Sequence, residues 1–240
     1  GYEVFDDCAS AEVEAALFAA FHTALEGLKL RAVMGDMAIL RAAVSGLETT
    51  EHRKAALMRH LWRPARFRAL LDRYAAPAPG PQEPQTGAEI GLRTAEEVAL
   101  RRARMIGDAA AARISADARA GLETLMAIAG PLPEAQVALR ALVPDMPAIA
   151  APLSQLDARI KALETVGIDP ATLTFEVTYG RTSMEYYDGF VFGFTANGSA
   201  PVATGGRYDA LTLVLGQGRH VPAVGGVIRP DLVAALKSAP

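Results

Sequence analysis

Two glycine-punctuated apolar segments near the C-terminal end constrain the fold most. The first runs from Tyr187 to Thr195 and the second from Val202 to Leu215, crossing Gly205-Gly206 into a short helix or strand. Between them lies Asn197-Gly198, a dipeptide typical of the tight turn that joins antiparallel strands. A further apolar strand is predicted at Val221–Ile228. We therefore expect an antiparallel sheet in this part of the chain.

The first 49 residues predict strand, helix, strand and helix in turn. Tyr2–Phe5 alternates like a strand, and Ser10 is a plausible N-cap for a helix that Gly27 ends. Leu28–Met34 predicts a second strand, and Asp36 can cap the helix after it.

Residues 50–169 have a different character and predict a helical insertion. Glu51–Tyr74 is basic and helix-like, a proline-rich loop covers residues 75–84, and Thr94–Ala129 is alanine-rich. Prolines then divide the remainder into shorter helices, the last at Leu153–Val166. Strands at both ends and helices between them predict an α+β fold, with a core of residues 1–49 and 170–240.

Composition excludes several classes of function. A net charge of −3 leaves no global basic field for nucleic acid, and the one cysteine, Cys8, fits a reduced, cytoplasmic compartment. No signal peptide or membrane span is visible. The four histidines lack metal-ligand spacing and no cofactor fingerprint is present, so we expect no metal and no cofactor.

Two segments are candidates for chemistry: residues 185–192, which contain Tyr186-Tyr187, and residues 204–211, which contain Gly205-Gly206-Arg207-Tyr208. One interpretation is a hairpin with packed aromatic rings. The other is a pocket, in which glycines let a ligand approach the backbone while tyrosines and an arginine supply stacking and hydrogen bonds.

These segments resemble the two histidine-recognition motifs of histidyl-tRNA synthetases. They occur in the family's order, before Pro222–Ile228, which resembles the third class II synthetase motif. Gly1–Phe5 resembles the strand after the second motif, and the helical block falls where the family carries an insertion. The resemblance implies a class II synthetase-like antiparallel sheet with flanking helices, and a core whose N-terminal part is absent from this chain.

The resemblance also implies an amino-acid pocket. Glu3 would face the α-amino group of a histidine-like ligand, although an exposed strand carboxylate is the alternative for this residue. Tyr187 and Tyr208 would line the imidazole site, and Arg207 would brace the sheet through an internal ion pair. Tyr186, Gly205 and Gly206 complete the predicted pocket.

Departures from the synthetase pattern indicate that aminoacylation is lost. Thr182 stands where an arginine assists adenylation, although Arg181 is adjacent, and Leu232 replaces the arginine that lies against ATP. The chain ends at Pro240, so we expect no anticodon-binding domain. This combination resembles the regulatory subunits of ATP phosphoribosyltransferase, a synthetase-like family.

That resemblance implies a non-catalytic regulatory subunit, needed for the first step of histidine biosynthesis and for its feedback regulation by histidine. Its partners would be a short-form catalytic subunit and L-histidine, with a homodimer inside a hetero-oligomer, and with neither nucleic acid nor a membrane. One alternative is the catalytic core of a divergent histidyl-tRNA synthetase. Another is a different synthetase paralogue that senses amino acids or modifies proteins.

Overall fold

A computed structural model describes residues 1–7, 10–77, 94–181, 186–196 and 200–238. Contacts divide the chain into a sheet unit, residues 1–46 and 121–240, and a helical unit, residues 47–120. The turn predicted at Asn197-Gly198 and most of the predicted proline-rich loop lie outside the described residues.

The described part of the sheet unit forms seven strands in the order β1-β7-β6-β5-β2-β4-β3. Neighbouring strands are antiparallel except β2 and β4, which are parallel. The strands are β1 (Tyr2–Phe5), β2 (Arg31–Asp36), β3 (Ala129–Pro131), β4 (Thr174–Glu176), β5 (Phe190–Thr195), β6 (Ala203–Arg207) and β7 (Ala223–Ile228).

Helices occupy most of the remaining described residues. They are α1 (Ala11–Ala24), α2 (Met37–Ser45), α3 (Glu51–Arg59), α4 (Pro64–Ala75), α5 (Ala95–Ala110), α6 (Ala116–Ala127), α7 (Leu132–Ala141), α8 (Ala150–Thr165), α9 (Asp209–Leu215) and α10 (Pro230–Ser238). Within the described ranges, none of them is both long and apolar enough to cross a membrane.

The two helix starts predicted near the N-terminus are confirmed. The Ser10 hydroxyl accepts a hydrogen bond from the Val13 amide at 3.2 Å and begins α1. The Asp36 carboxylate accepts one from the Ala38 amide at 2.9 Å and begins α2. Each side chain satisfies an amide that has no partner inside the helix, which is why these residue types mark helix starts.

Aromatic packing between α1 and β5 forms the core on one face of the sheet. Phe18 stacks on Phe194 with ring centroids 5.2 Å apart, and Phe21 meets Phe192 edge to face at 5.3 Å. Since side chains alternate along a strand, Phe192 and Phe194 project from the same face. We call this side of the sheet the α1 face. Alternate residues, such as Val191, project from the other side, which we call the open face.

The segment Glu51–Tyr74 is two helices, α3 and α4, rather than one. Pro64 stands at the first position of α4, where its missing N–H and its fixed φ are compatible with a helix. The same proline would remove a hydrogen bond inside a continuous helix, so α3 ends at Arg59. Local composition predicted the helical state, and the proline determines where it is interrupted.

The middle block also contains a strand. β3 (Ala129–Pro131) pairs with β4, and residues 121–169 belong to the sheet unit. Ala-Gly-Pro has almost no intrinsic strand preference, so this short strand exists because β4 offers its backbone groups for pairing.

Arg53 holds the helical unit together. Its side chain is 4% exposed; Nε donates to Asp108 Oδ1 at 2.7 Å and Nη1 donates to the Ala112 carbonyl at 2.8 Å. α3 is thereby tied to the end of α5 and the residues after it. The apolar side chains buried in the same unit include Leu57, Leu61, Phe67, Leu70, Leu71 and Tyr74.

Candidate functional site

A row of four cross-strand partners, with two glycines at its centre, crosses the open face of the sheet. Glu3, Gly225, Gly206 and Val191 are successive partners across β1, β7, β6 and β5. A Cβ at Gly225 would overlap the Glu3 carboxylate, and a Cβ at Gly206 would lie 2.9 Å from Cδ1 of Tyr187. The two glycines therefore make room for the side chains that lie across them.

Three tyrosines and one carboxylate gather over this row. The Tyr208 hydroxyl donates a hydrogen bond to the Glu3 carboxylate. The rings of Tyr186 and Tyr187 have centroids 4.5 Å apart, and Tyr186 meets Tyr208 edge to face at 5.9 Å. Tyr186 is 41% exposed, whereas Tyr187 and Tyr208 are 4% and 9% exposed, so the cluster has an accessible side and a buried side.

Burial keeps the inner tyrosines neutral. It raises the pKa of Tyr187, and the hydrogen bond with Tyr186 raises that pKa further. Burial also raises the pKa of Tyr208, with the Glu3 carboxylate adding to the effect. The cluster combines hydroxyl groups that stay protonated with aromatic rings and a carboxylate, which suits a small cationic, hydrogen-bonding ligand.

Arg207 belongs to a chain of buried charges on the α1 face. Its Nε donates to Glu14 Oε1 at 2.5 Å, and the other Glu14 oxygen accepts from Arg159 Nε at 2.6 Å. Arg159 Nη1 lies 3.0 Å from Asp36 Oδ2, and Arg207 Nη1 lies 3.2 Å from Asp209 Oδ1. Five alternating charges thus connect β6, α1, α8 and the start of α2, and the expectation of an internal ion pair at Arg207 is confirmed.

The structure separates the predicted site residues into two groups. Glu3, Tyr186, Tyr187, Gly206 and Tyr208 come together on the open face. Gly205 and Arg207 are on the α1 face; a Cβ at Gly205 would overlap the Phe192 ring. Period-two alternation along β6 produces this division, because consecutive residues of a strand project to opposite faces.

Several structural partners of these residues were not predicted from the sequence. Glu14 lies on the buried side of α1 with Leu17 and Phe21, and a carboxylate at that spacing indicates a buried cation nearby. The Asp188 carboxylate accepts hydrogen bonds from the Asp209 and Ala210 amides, at 3.2 and 2.5 Å, and thereby caps α9. The sequence carried no signal for Asp188, because its amide partners come from a different segment.

The positions at which the chain departs from the synthetase pattern are only partly described. Arg181 is buried, and its Nη1 lies 3.3 Å from the sulfur of Met126 in α6. Leu232 lies in α10, and Thr182 is outside the described residues. Within the described ranges, no group of three or more His, Cys, Asp or Glu side chains is arranged to hold a metal ion.

Comparison with known proteins shows the family. The family model described as histidyl-tRNA synthetase matches residues 1–233, and the chain belongs to that family.

Two curated relatives are named ATP phosphoribosyltransferase regulatory subunit. The protein from Rhizobium rhizogenes is 29% identical over 97% of this chain and 70% of its own length. The protein from Agrobacterium fabrum is 35% identical over 62% of this chain, which spans 38% of that relative. The predicted resemblance to the regulatory subunits is therefore confirmed.

A solved structure shows the same fold. It is described as an ATP phosphoribosyltransferase regulatory subunit/histidyl-tRNA synthetase from Bacillus halodurans, and it matches with a TM-score of 0.68 at 20% identity. The match covers 99% of this chain but only 52% of that structure. The predicted α+β, class II synthetase-like fold is confirmed, and this chain corresponds to about half of the solved protein.

Proposed function

We propose that this chain is a non-catalytic regulatory subunit of ATP phosphoribosyltransferase, needed for the first step of histidine biosynthesis and for its feedback regulation by histidine. It acts in the cytoplasm, as a homodimer within a hetero-oligomer that contains the short-form catalytic subunit. The observation that carries the proposal is the likeness to a protein of that name across 97% of the chain.

The cluster on the open face is the proposed site for L-histidine. Histidine carries an ammonium group and an imidazole ring that titrates close to neutral pH. The Glu3 carboxylate suits a cationic group, and the hydroxyls of Tyr187 and Tyr208 suit hydrogen bonds to the ring. Gly206 forms the floor, while Gly205 and Arg207 support the strand from behind.

The residues at the two positions where the synthetases carry ATP-binding arginines support a non-catalytic role. In the synthetases an arginine of the third motif balances triphosphate charge, and the corresponding position here is Leu232, whose side chain carries no charge. Arg181, the nearest cation to the other lost arginine in the sequence, is buried beside Met126. Loss of a guanidinium from a phosphate site removes charge-assisted hydrogen bonds that stabilise the transition state.

Mixing this protein with the catalytic subunit from the same organism tests the proposed role. Phosphoribosyl transfer should require the mixture, and added histidine should inhibit it. Catalysis by the catalytic subunit alone that is unchanged on mixing would contradict the role. Histidine-dependent exchange of pyrophosphate with ATP, measured on this chain alone, would instead favour the synthetase alternative.

Calorimetry with L-histidine tests the site separately. Tyr187→Ala should abolish the binding heat seen with the parent protein, because Tyr187 lies across the floor of the cluster. Tyr2→Ala is the matched control: Tyr2 is 56% exposed, and it lies on the α1 face because it is in line with Phe192 through Gly226 and Gly205. Equal heats from the two variants would remove Tyr187 from the site.

A further inference from the structure

Asp188 makes hydrogen bonds on both sides of Tyr208. On the strand side, its amide donates to the Arg207 carbonyl at 3.0 Å. On the helix side, its carboxylate accepts from the Asp209 amide at 3.2 Å and from the Ala210 amide at 2.5 Å. The backbone on either side of Tyr208 is therefore attached to one residue of another segment.

The backbone of Tyr208 needs such support because it belongs to neither neighbouring element. It lies between the last residue of β6 and the first residue of α9, with φ −142° and ψ 48°. Its own amide donates to the Ala223 carbonyl of β7 at 3.0 Å. The first amides of α9 have no acceptor inside the helix and use the Asp188 carboxylate instead. Since Asp188 directly follows Tyr187, these bonds set the position of one buried tyrosine relative to the other.

The Asp188 carboxylate can hold both α9 amides only while it is ionised. An ionised carboxylate offers two acceptor oxygens, whereas protonation turns one oxygen into a donor that faces an N–H donor. Protonation therefore releases one of the two amides. Asp188 is half-buried, and burial raises the pKa of its carboxyl group, so this release occurs at a higher pH than in an exposed aspartate.

Charged groups from three elements surround Asp188. Asp209 of α9 raises the pKa of Asp188, and Arg41 of α2 lowers it. Arg207 of β6 presents its carbonyl to Asp188, while its guanidinium donates to Asp209 at 3.2 Å. Asp209 also accepts from the Ala223 amide at 2.8 Å. Because these groups have partners of their own, replacing the Asp188 side chain alone separates its titration from theirs.

We propose that ionised Asp188 positions Tyr208 against Tyr187 for ligand binding, and that protonation of Asp188 weakens binding at the tyrosine cluster. The inference rests on the proposed histidine site and adds a means of regulating it by pH. Asp188 acts through the tyrosines and is a positioning residue. The Tyr208 hydroxyl donates to the Glu3 carboxylate, so a displaced Tyr208 also changes the surroundings of that acidic group.

Calorimetry with L-histidine, on the parent protein and on Asp188→Asn between about pH 5 and pH 8, tests the proposal. The asparagine side chain has the size of a carboxyl group but only one acceptor oxygen, so it imitates the protonated state at every pH. At the upper end of the range the variant should bind histidine roughly tenfold more weakly, because one charge-assisted hydrogen bond is lost.

The ratio of the variant's Kd to the parent's Kd carries the decisive information. It should fall toward about one as the pH decreases, because the parent then becomes protonated at Asp188 as well. Titration of the ligand itself affects both proteins equally and cancels in the ratio. A side chain that only supports the fold would give the same ratio at every pH.

Asp169→Asn is the matched control. Asp169 is exposed, and its carboxylate accepts from the Ala171 amide at 2.9 Å at the start of the short turn Pro170–Thr172. Its Kd for histidine should stay within about twofold of the parent value at each pH. If circular dichroism shows that Asp188→Asn is unfolded, Asp188→Ser replaces it, since a serine hydroxyl also accepts one amide. The same fall of the ratio with pH is then expected.

Three results overturn the proposal while leaving the histidine site intact. One is a ratio that stays constant across the pH range. Another is equal affinity of Asp188→Asn and the parent at the upper pH, and the third is equal weakening by Asp169→Asn. Absence of any histidine heat from the parent protein would be a different failure, because it would remove the proposed site and this inference together.

Discussion

Glu14 of α1 accepts a 2.5 Å hydrogen bond from Arg207 of β6, the residue directly before Tyr208. The same carboxylate accepts from Arg159, so a single acidic side chain separates two buried guanidinium groups. This arrangement anchors β6 from the face opposite to the tyrosine cluster. Glu14 is therefore the residue whose replacement should disturb that strand most.

Glu14→Gln should lower the free energy of unfolding by about 1–3 kcal/mol, because it weakens two charge-assisted hydrogen bonds and leaves Arg159 with Asp36 alone and Arg207 with Asp209 alone. Urea denaturation followed by circular dichroism measures the change. Glu12→Gln is the control: Glu12 is exposed on the same helix, and its replacement should stay within about 0.5 kcal/mol. Equal midpoints for the two variants would show that the charge chain contributes little.

Gly206→Ala should destabilise the sheet unit by about 1–3 kcal/mol and displace Tyr187. Its Cβ would lie 2.5 Å from the Phe190 carbonyl oxygen and 2.9 Å from the Tyr187 ring, and the carbonyl cannot move without the strand.

Gly107→Ala is the control for that substitution. Gly107 lies inside α5 with no atom within 4 Å of its Cβ position, so alanine should stabilise the helix by up to about 1 kcal/mol. Thermal unfolding of the two variants should shift in opposite directions. A Gly206→Ala protein as stable as the parent would show that the floor of the cluster accepts a methyl group.

Arg53→Ala should unfold the helical unit at lower denaturant concentration, by about 2–4 kcal/mol, because Asp108 and the Ala112 carbonyl lose their donors. Trp62 is the one tryptophan of the chain and lies between α3 and α4, so its fluorescence reports on this unit. Lys54→Ala, which breaks the pair with exposed Glu51, should cost less than about 1 kcal/mol. A fluorescence midpoint unchanged by Arg53→Ala would contradict the anchoring role.

The folded protein should lose stability at alkaline pH. Burial raises the pKa of Tyr179 to about 12, with Glu176 adding to the rise, and the pKa values of Tyr187 and Tyr208 are also raised. The unfolded chain ionises its tyrosines near pH 10, so between about pH 10 and 12 it binds fewer protons than the folded state. The stability present below pH 10 is therefore lost as the pH rises.

Absorbance at 295 nm, recorded against pH, measures tyrosine ionisation directly. Tyr179→Phe should remove part of the signal near pH 12 and leave the signal near pH 10 intact. Loss of the pH 10 signal in this variant would contradict the raised pKa. In urea the buried tyrosines of the parent become exposed, and their ionisation should then occur near pH 10 with the other tyrosines.

The helix starts and most strands were predictable because short-range chemistry determines them. Ser10 and Asp36 cap their helices within three and two residues. β4 (Thr174–Glu176) is a strand only where β2 and β3 pair with it. Long-range pairing of that kind leaves no periodic signal in a single sequence.

The candidate site was predictable in composition but not in arrangement. The order of the motifs brought Tyr187, Tyr208 and Glu3 into one hypothesis, and the structure places them on one face. Glu14 and Asp188 could not be assigned to their partners, because their hydrogen bonds join segments 193 and about 21 residues apart. Once the start of β6 is known, side-chain alternation assigns Gly205 and Gly206 to opposite faces of the sheet.

The glycines at 206 and 225 have a consequence for how this surface can change. Where a floor consists of main chain, there is no side chain to lengthen, shorten or recharge, and the smallest available substitution already collides with Tyr187 or Glu3. A change in the ligand of the proposed site therefore has to arise at the rim, through Glu3 on β1 and the tyrosines at 186, 187 and 208. Substitutions that change what the proposed site binds are therefore confined to β1, to residues 186–187 and to the start of α9, while the strands beneath them keep their sequence.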